Sequence, residues 1–198
     1  MDLVTIGLRA KTGRAIAVVI GGSAGAPIVL AKTEIKLIDP KVPATAQPYH
    51  AVMEMPWEQS QRAVRKYARA IEQVAKKAVG DLIKQQTSAD MKVQAVGIVG
   101  APDRDLARIG NFHIRAHAAE GVLFRHVLHV AAEAHGLKWR VFPDKEFERI
   151  TTAELGRQAS SVRRKIAELG RGVPAPWRAD EKQAAMAAWL MLHFPTEL

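Results

Sequence analysis

Residues 3–37 read LVTIGLRAKTGRAIAVVIGGSAGAPIVLAKTEIKL, and this stretch decides the fold. Residues 3–8 alternate weakly and are compatible with a strand, and Lys11, Thr12, Gly13 and Arg14 read as a turn. Residues 15–20 are a second apolar, β-branched run, followed by the flexible turn Gly21, Gly22, Ser23, Ala24 and Gly25. Over residues 28–37, apolar Ile28, Leu30, Ile35 and Leu37 are interleaved with Lys32, Glu34 and Lys36, the signature of a third strand. Consecutive strands joined by short turns predict an antiparallel meander.

Beyond residue 37 the pattern changes. Prolines at 40, 43, 48 and 56 mark a long irregular connection. From Trp57, apolar Val64, Tyr67, Ala68, Ile71, Val74, Ala75, Ala78, Val79 and Leu82 recur every three or four residues, predicting a long amphipathic helix to about Thr87. Residues 93–99 are a short apolar run, read as a strand buried on both faces. A loop over 100–110 leads to a helix over 113–135, ended by Gly136, a suitable C′ glycine. A strand over 138–142 stops at Pro143, and helical patterns follow over 159–169 and 184–193, separated by a loop over 170–179. The order β-β-β-α-β-α-β-α-α predicts an α/β fold. Its mixed sheet has a three-strand antiparallel meander plus two parallel strands, flanked by helices, in a single domain spanning 1–198.

Composition sets the chemistry that is open to this chain. It has 198 residues and no cysteine, which excludes disulfides, thiolate zinc sites, iron–sulfur clusters and cysteine nucleophiles. No run of 18 apolar residues marks a membrane span, and Met1, Asp2, Leu3 and Val4 do not resemble a secretory leader, so a cytoplasmic protein is expected. The formal net charge of +9 and the pI near 10.0 favour a polyanionic partner, nucleic acid above all. The excess is dispersed: segments 1–56, 57–90, 91–143 and 144–198 are each net basic. A phosphate-binding surface must therefore be assembled by folding.

The C-terminal motifs carry a resemblance. Phe142, Pro143, Asp144, Lys145, Glu146 and Phe147 resemble the strand-end proline and following short helix of the RuvC (Holliday-junction resolvase) branch of the ribonuclease H-like superfamily. Residues 151–164 are similar to that branch's threonine- and glycine-containing turn entering a helix, and residues 180–188 to its acidic, alanine-rich last helix. Glu148, Arg149, Ile150, Thr151 and Thr152, with Gly100, Ala101 and Pro102, also resemble motifs of the YqgF-like branch.

The resemblance implies two-metal phosphodiester hydrolysis, in which converging carboxylates hold two divalent cations, Mg²⁺ or Mn²⁺, on the scissile phosphate. It places one acid on the first strand after Gly7 and Leu8, one at the end of the strand over 93–99, and one or two at the start of the last helix. The first position is Arg9 and the second is Val99 or Gly100. Only the last is acidic, at Asp180 and Glu181, while the partner aspartate aligns with Gln183. A guanidinium about 4 Å from a cation repels it by roughly 4 kcal/mol per unit charge at an effective dielectric near 20, and a dication doubles that. The expectation is a degenerate catalytic site with no metal and no cofactor.

Other residues have plain alternatives. Asp103 and Asp105 could stand in for a missing ligand, but fit turn or cap chemistry. Asp180 fits a helix N-terminus equally well, and Glu148 is a ligand only on the YqgF-like alignment. His113 and His117 share a helix face, as do His126, His129 and Glu133, yet no further group in the sequence completes a metal site. Ser23 lies in a turn that is neither a nucleophile elbow nor a P-loop. Arg62, Arg65, Lys66, Arg69, Lys76 and Lys77 fit the wet side of a helix. Arg9, Lys11, Arg14, Arg163, Arg164 and Lys165 are the better nucleic-acid candidates, because in the resembled fold the first hairpin and last helices border the cleft. Trp57 and Trp177 could stack on bases or pack under loops.

Three functions follow. The first is binding of structured or duplex nucleic acid through backbone contacts, without catalysis. The second is a metal-dependent endonuclease using Asp180, Glu181, Glu148 or Asp103. The third is a homodimerisation or protein-interaction module using Trp189, Met191 and Phe194 on the last helix.

Overall fold

A computed structural model describes residues 2–23 and 26–193. The strands are β1 Asp2–Lys11, β2 Arg14–Gly22, β3 Pro27–Lys36, β4 Met91–Gly100 and β5 Lys138–Pro143. They form one sheet in the order β3-β2-β1-β4-β5. Pairing is antiparallel from β3 through β2 to β1, and parallel from β1 through β4 to β5. This is the sheet the sequence predicts. The helices are α1 Trp57–Ser88, α2 Phe112–Ala134, α3 Phe147–Leu155, α4 Ala159–Leu169 and α5 Ala179–His193.

The sheet is covered on both faces, which explains why the strands read as apolar runs with weak alternation. Val4, Ile6 and Leu8 of β1 pack with Ile71, Ala75 and Val79 of α1 and Phe124 and Leu128 of α2. On the other face Ile16, Val18 and Ile20 of β2 and Ala95 and Val99 of β4 pack with α5 and with Val162 and Ile166 of α4.

The approach of α5 is unusually close. A β-carbon on Gly7 would collide with the carbonyl oxygen of Ala184 and lie 2.8 Å from the nitrogen of Ala188. One on Gly97 would lie 2.7 Å from the carbonyl oxygen of Ala187. Glycines in the strands and alanines in the helix are thus two halves of one contact. Thr5 fixes its register by donating from Oγ1 to the Ala188 carbonyl at 2.6 Å.

Three expectations change. Residues 151–155 are not a turn but the end of α3, whose buried Phe147, Thr151 and Leu155 recur every four residues. Gly156, at φ 50°, ends that helix. The last helix starts at Ala179 rather than 184. Trp189 and Met191 are buried in the chain's own core and offer no surface for a partner, while Phe194 lies outside the described residues, as do Ala24 and Gly25. Among the described residues, no helix is long and apolar enough to cross a membrane.

Candidate functional site

Strand β1 places Thr5, Gly7 and Arg9 on the α5 face. Thr5 meets Ala188 and Gly7 meets Ala184. Two strand residues advance about 6.7 Å and four helix residues about 6 Å, so the next matched pair is Arg9 with Asp180. The structure shows that pair, with Arg9 Nε 3.5 Å from Asp180 Oδ1. Parallel pairing with β4 sets Arg9 beside Val99, and its NH1 donates to the Val99 carbonyl at 3.4 Å. Past the end of β5 the Asp144 amide donates to the Gly100 carbonyl at 2.8 Å, extending the ladder by one residue. Asp144 Oδ2 then accepts from Arg9 NH2 at 3.3 Å.

Arg9 therefore sits between two carboxylates contributed by β5 and α5. Its side chain is 11% exposed, against 27% for Asp144 and 32% for Asp180. Lys11 adds a second cation, its Nζ lying 3.0 Å from Asp180 Oδ1. Two cations face two anions, and the cluster is formally neutral. Asp144 Oδ1 is buried and, among the described residues, has no hydrogen-bond donor.

Asp144 is not among the site candidates that the sequence offers. The signal was a carboxylate directly after a parallel strand, at the end of the sheet where open α/β folds gather their functional groups. Asp144 thus stands beside the end of β4, one strand over from Val99 and Gly100, where the resemblance expects an acid.

The other named residues occupy varied positions. Glu181 is 6% exposed, and its Oε2 accepts from the Arg178 amide at 2.8 Å, which caps α5. Glu148 pairs with Arg163 at 2.7 Å across α3 and α4, and Arg163 also donates to Thr152 Oγ1. A groove of about 360 Å³ runs from Asp144 past Glu148, Thr151 and Arg163 to Lys182 and Gln183. Arg14 is half exposed and pairs with Glu34 at 3.2 Å. It shares with Lys11, Gly13 and Lys36 a second, open groove beside the β1–β2 turn. Arg164 is exposed on α4 and Lys165 is partly buried there.

Asp103 is held at 2.5 Å by Arg125 of α2. That hydrogen bond is the main reason its carboxyl lies below the usual aspartate range. Trp177 donates from Nε1 to the Ile166 carbonyl at 2.9 Å, and Trp57 stacks on Tyr49 at 5.6 Å, so both rings have intramolecular partners. On α1, Arg62, Arg65, Lys66, Arg69 and Lys77 are exposed.

No family model and no curated protein matches the sequence. Among solved structures, the chain is similar to Thermus thermophilus RuvC in complex with a Holliday junction substrate, at a TM-score of 0.52 and 12% identity. That match covers 98% of this chain and 94% of that one. Thermus thermophilus RuvC alone matches with a TM-score of 0.50 and 14% identity, over 97% of this chain and 95% of that one. At such identities the likeness is one of fold: a ribonuclease H-like α/β sheet with its helices.

Proposed function

We propose, from the ribonuclease H-like fold as premise, that this chain binds structured or duplex nucleic acid through phosphate contacts and does not cut it by two-metal hydrolysis. The observation that carries this reading is the guanidinium of Arg9 between Asp144 and Asp180. Those are the carboxylates best placed to hold divalent cations, and Arg9 with Lys11 already neutralises them. A dication beside Arg9 would meet a repulsion of about 8 kcal/mol at 4 Å and an effective dielectric near 20. Both acids would also have to exchange a bound cation for it.

The same charges favour phosphate. Lys11 and Arg14, with Lys36, rim the groove at the β1–β2 turn, and Arg164 is exposed on α4. Such contacts are indifferent to base sequence and strongly salt-dependent. The active-nuclease reading has the convergence of Asp144 and Asp180 in its favour, but requires Arg9 to leave their midst.

The test is fluorescence anisotropy of a labelled four-way junction and of a plain duplex, in EDTA, from about 50 to 200 mM salt. Binding should weaken steeply and linearly in log–log form. The double variant R14Q/R164Q should lower the slope by about two, roughly one for each phosphate contact removed. Binding that is absent at low salt, or that ignores salt, overturns the proposal.

A further inference from the structure

The 3-10 turn His50–Val52, in the long connection between β3 and α1, carries His50 against the first two turns of α2. There His113 and His117 share one helix face. A nitrogen from each of the three imidazoles lies within 4.8 Å of the other two. The rings of His50 and His117 have centroids 4.4 Å apart, and those of His113 and His117 4.5 Å apart.

A fourth group orients the set. Glu120, one turn beyond His117 on α2, is fully buried. Its Oε1 accepts from the His50 backbone amide at 3.2 Å and lies 2.8 Å from His50 Nδ1. Donation from Nδ1 to Glu120 would leave the lone pair of His50 on Nε2, an atom that is buried and has no hydrogen-bond partner among the described residues. Among the described residues, His50 is also the only ion-pair partner of Glu120, whose second oxygen is buried and unbonded. A fully buried carboxylate facing one imidazole is an expensive arrangement unless a cation is near.

We propose that His50, His113 and His117 form a site for a first-row divalent transition metal, with Zn²⁺ as the ion of choice, and that Glu120 positions His50 from behind. Three imidazoles suit Zn²⁺, Co²⁺, Ni²⁺ and Cu²⁺ and disfavour Mg²⁺, which takes oxygen ligands. A tetrahedral site needs nitrogen–nitrogen separations of about 3.3 Å, from metal–nitrogen bonds of about 2.05 Å. His113 and His117 are exposed and free to close the remaining gap. Their exposure leaves the fourth position to water or an outside ligand. A carboxylate behind a ligating histidine fixes its tautomer and ring orientation, and Glu120 is placed to do so for His50.

The bound ion would pin the proline-rich connection to α2. The site lies in the layer of α1 and α2, on the opposite side of the sheet from Arg9 and α5. It stands independently of the proposed nucleic-acid function.

The test uses full-length protein without a polyhistidine tag, stripped with EDTA and exchanged into chelator-free buffer. Titration with Zn²⁺ by calorimetry, and with Co²⁺ followed by visible d–d absorption, should show one equivalent bound. His50→Ala and His117→Ala should each weaken binding by at least about 100-fold, and Glu120→Gln by about 10- to 100-fold. His126→Ala, on the same helix but outside the cluster, should leave the affinity unchanged and serves as control. Circular dichroism of each variant separates lost binding from lost folding. His117→Ala removes an exposed side chain and keeps the test open if Glu120→Gln fails to fold. Absence of stoichiometric binding, or affinity untouched by His117→Ala in a folded protein, overturns the proposal.

Discussion

Gly7→Ala is expected to destabilise the protein by at least about 3 kcal/mol, at or beyond the upper end of ordinary overpacking. A methyl group at this position meets backbone rather than a flexible side chain: the Ala184 carbonyl oxygen first, and then the Ala188 nitrogen. Neither atom can rotate away, because both belong to the middle of α5. The helix would have to lift off β1, and with it the Thr5–Ala188 hydrogen bond and the Asp180 contacts to Arg9 and Lys11. The matched control is Gly172→Ala, where no atom of the described residues lies within 4 Å of the added β-carbon and no positive φ is required. Urea denaturation should place the control within about 0.5 kcal/mol of the parent. Similar midpoints for the two variants would mean that α5 does not rest on the sheet as described.

Arg9→Asp is expected to have the second large effect, and one that depends on solution conditions. It replaces a nearly buried cation by an anion between Asp144 and Asp180, leaving Lys11 to balance three carboxylates. Removing one partner of a buried ion pair costs about 3–5 kcal/mol. Partial exposure of both aspartates lowers this, and the added repulsion raises it. In EDTA the variant should therefore melt well below the parent. Mg²⁺, which prefers a cluster of oxygens, should restore part of that loss in proportion to its concentration over its dissociation constant. Arg9→Met removes the positive charge without adding a negative one, and should show a weaker response to Mg²⁺. A melting temperature of Arg9→Asp that is indifferent to Mg²⁺ would show that the two aspartates do not form the rim of a cation site.

What the sequence disclosed depended on how far apart in the chain the relevant information lay. The strands and the long helices α1 and α2 were legible because each is marked locally, the strands by apolar runs between turn residues and the helices by apolar residues recurring over many turns. Helix α3 was implied only by the resemblance after Pro143 and not by its own pattern, since it offers only Phe147, Thr151 and Leu155 as buried positions, and the middle one is a threonine. Arg9 was legible as a cation on the first strand where the resemblance expects an acid. Asp144 was not, because its proximity to Arg9 is created by β4 lying between β1 and β5 in the sheet. The histidine pair on α2 was visible at its i,i+4 spacing. Its third member, 70 residues upstream of Glu120, was hidden in an irregular connection whose path no periodicity defines.

Basic charge showed the same division. The net charge of +9 pointed to a polyanion without saying where it binds. Folding engages Arg9, Arg125 and Arg163 with acids of the same chain, and leaves Arg14 and Arg164 more open to solvent. The overall charge therefore overstates the number of phosphate contacts available.

That Arg9 occupies the place of a metal between Asp144 and Asp180 is tested by incubating the parent protein with a labelled four-way junction in Mg²⁺ and, in parallel, in EDTA, following both affinity and cleavage. The expected result is salt-sensitive binding in both conditions, and an intact junction in both. Junction cleavage that requires Mg²⁺ and disappears in Asp180→Asn would contradict it.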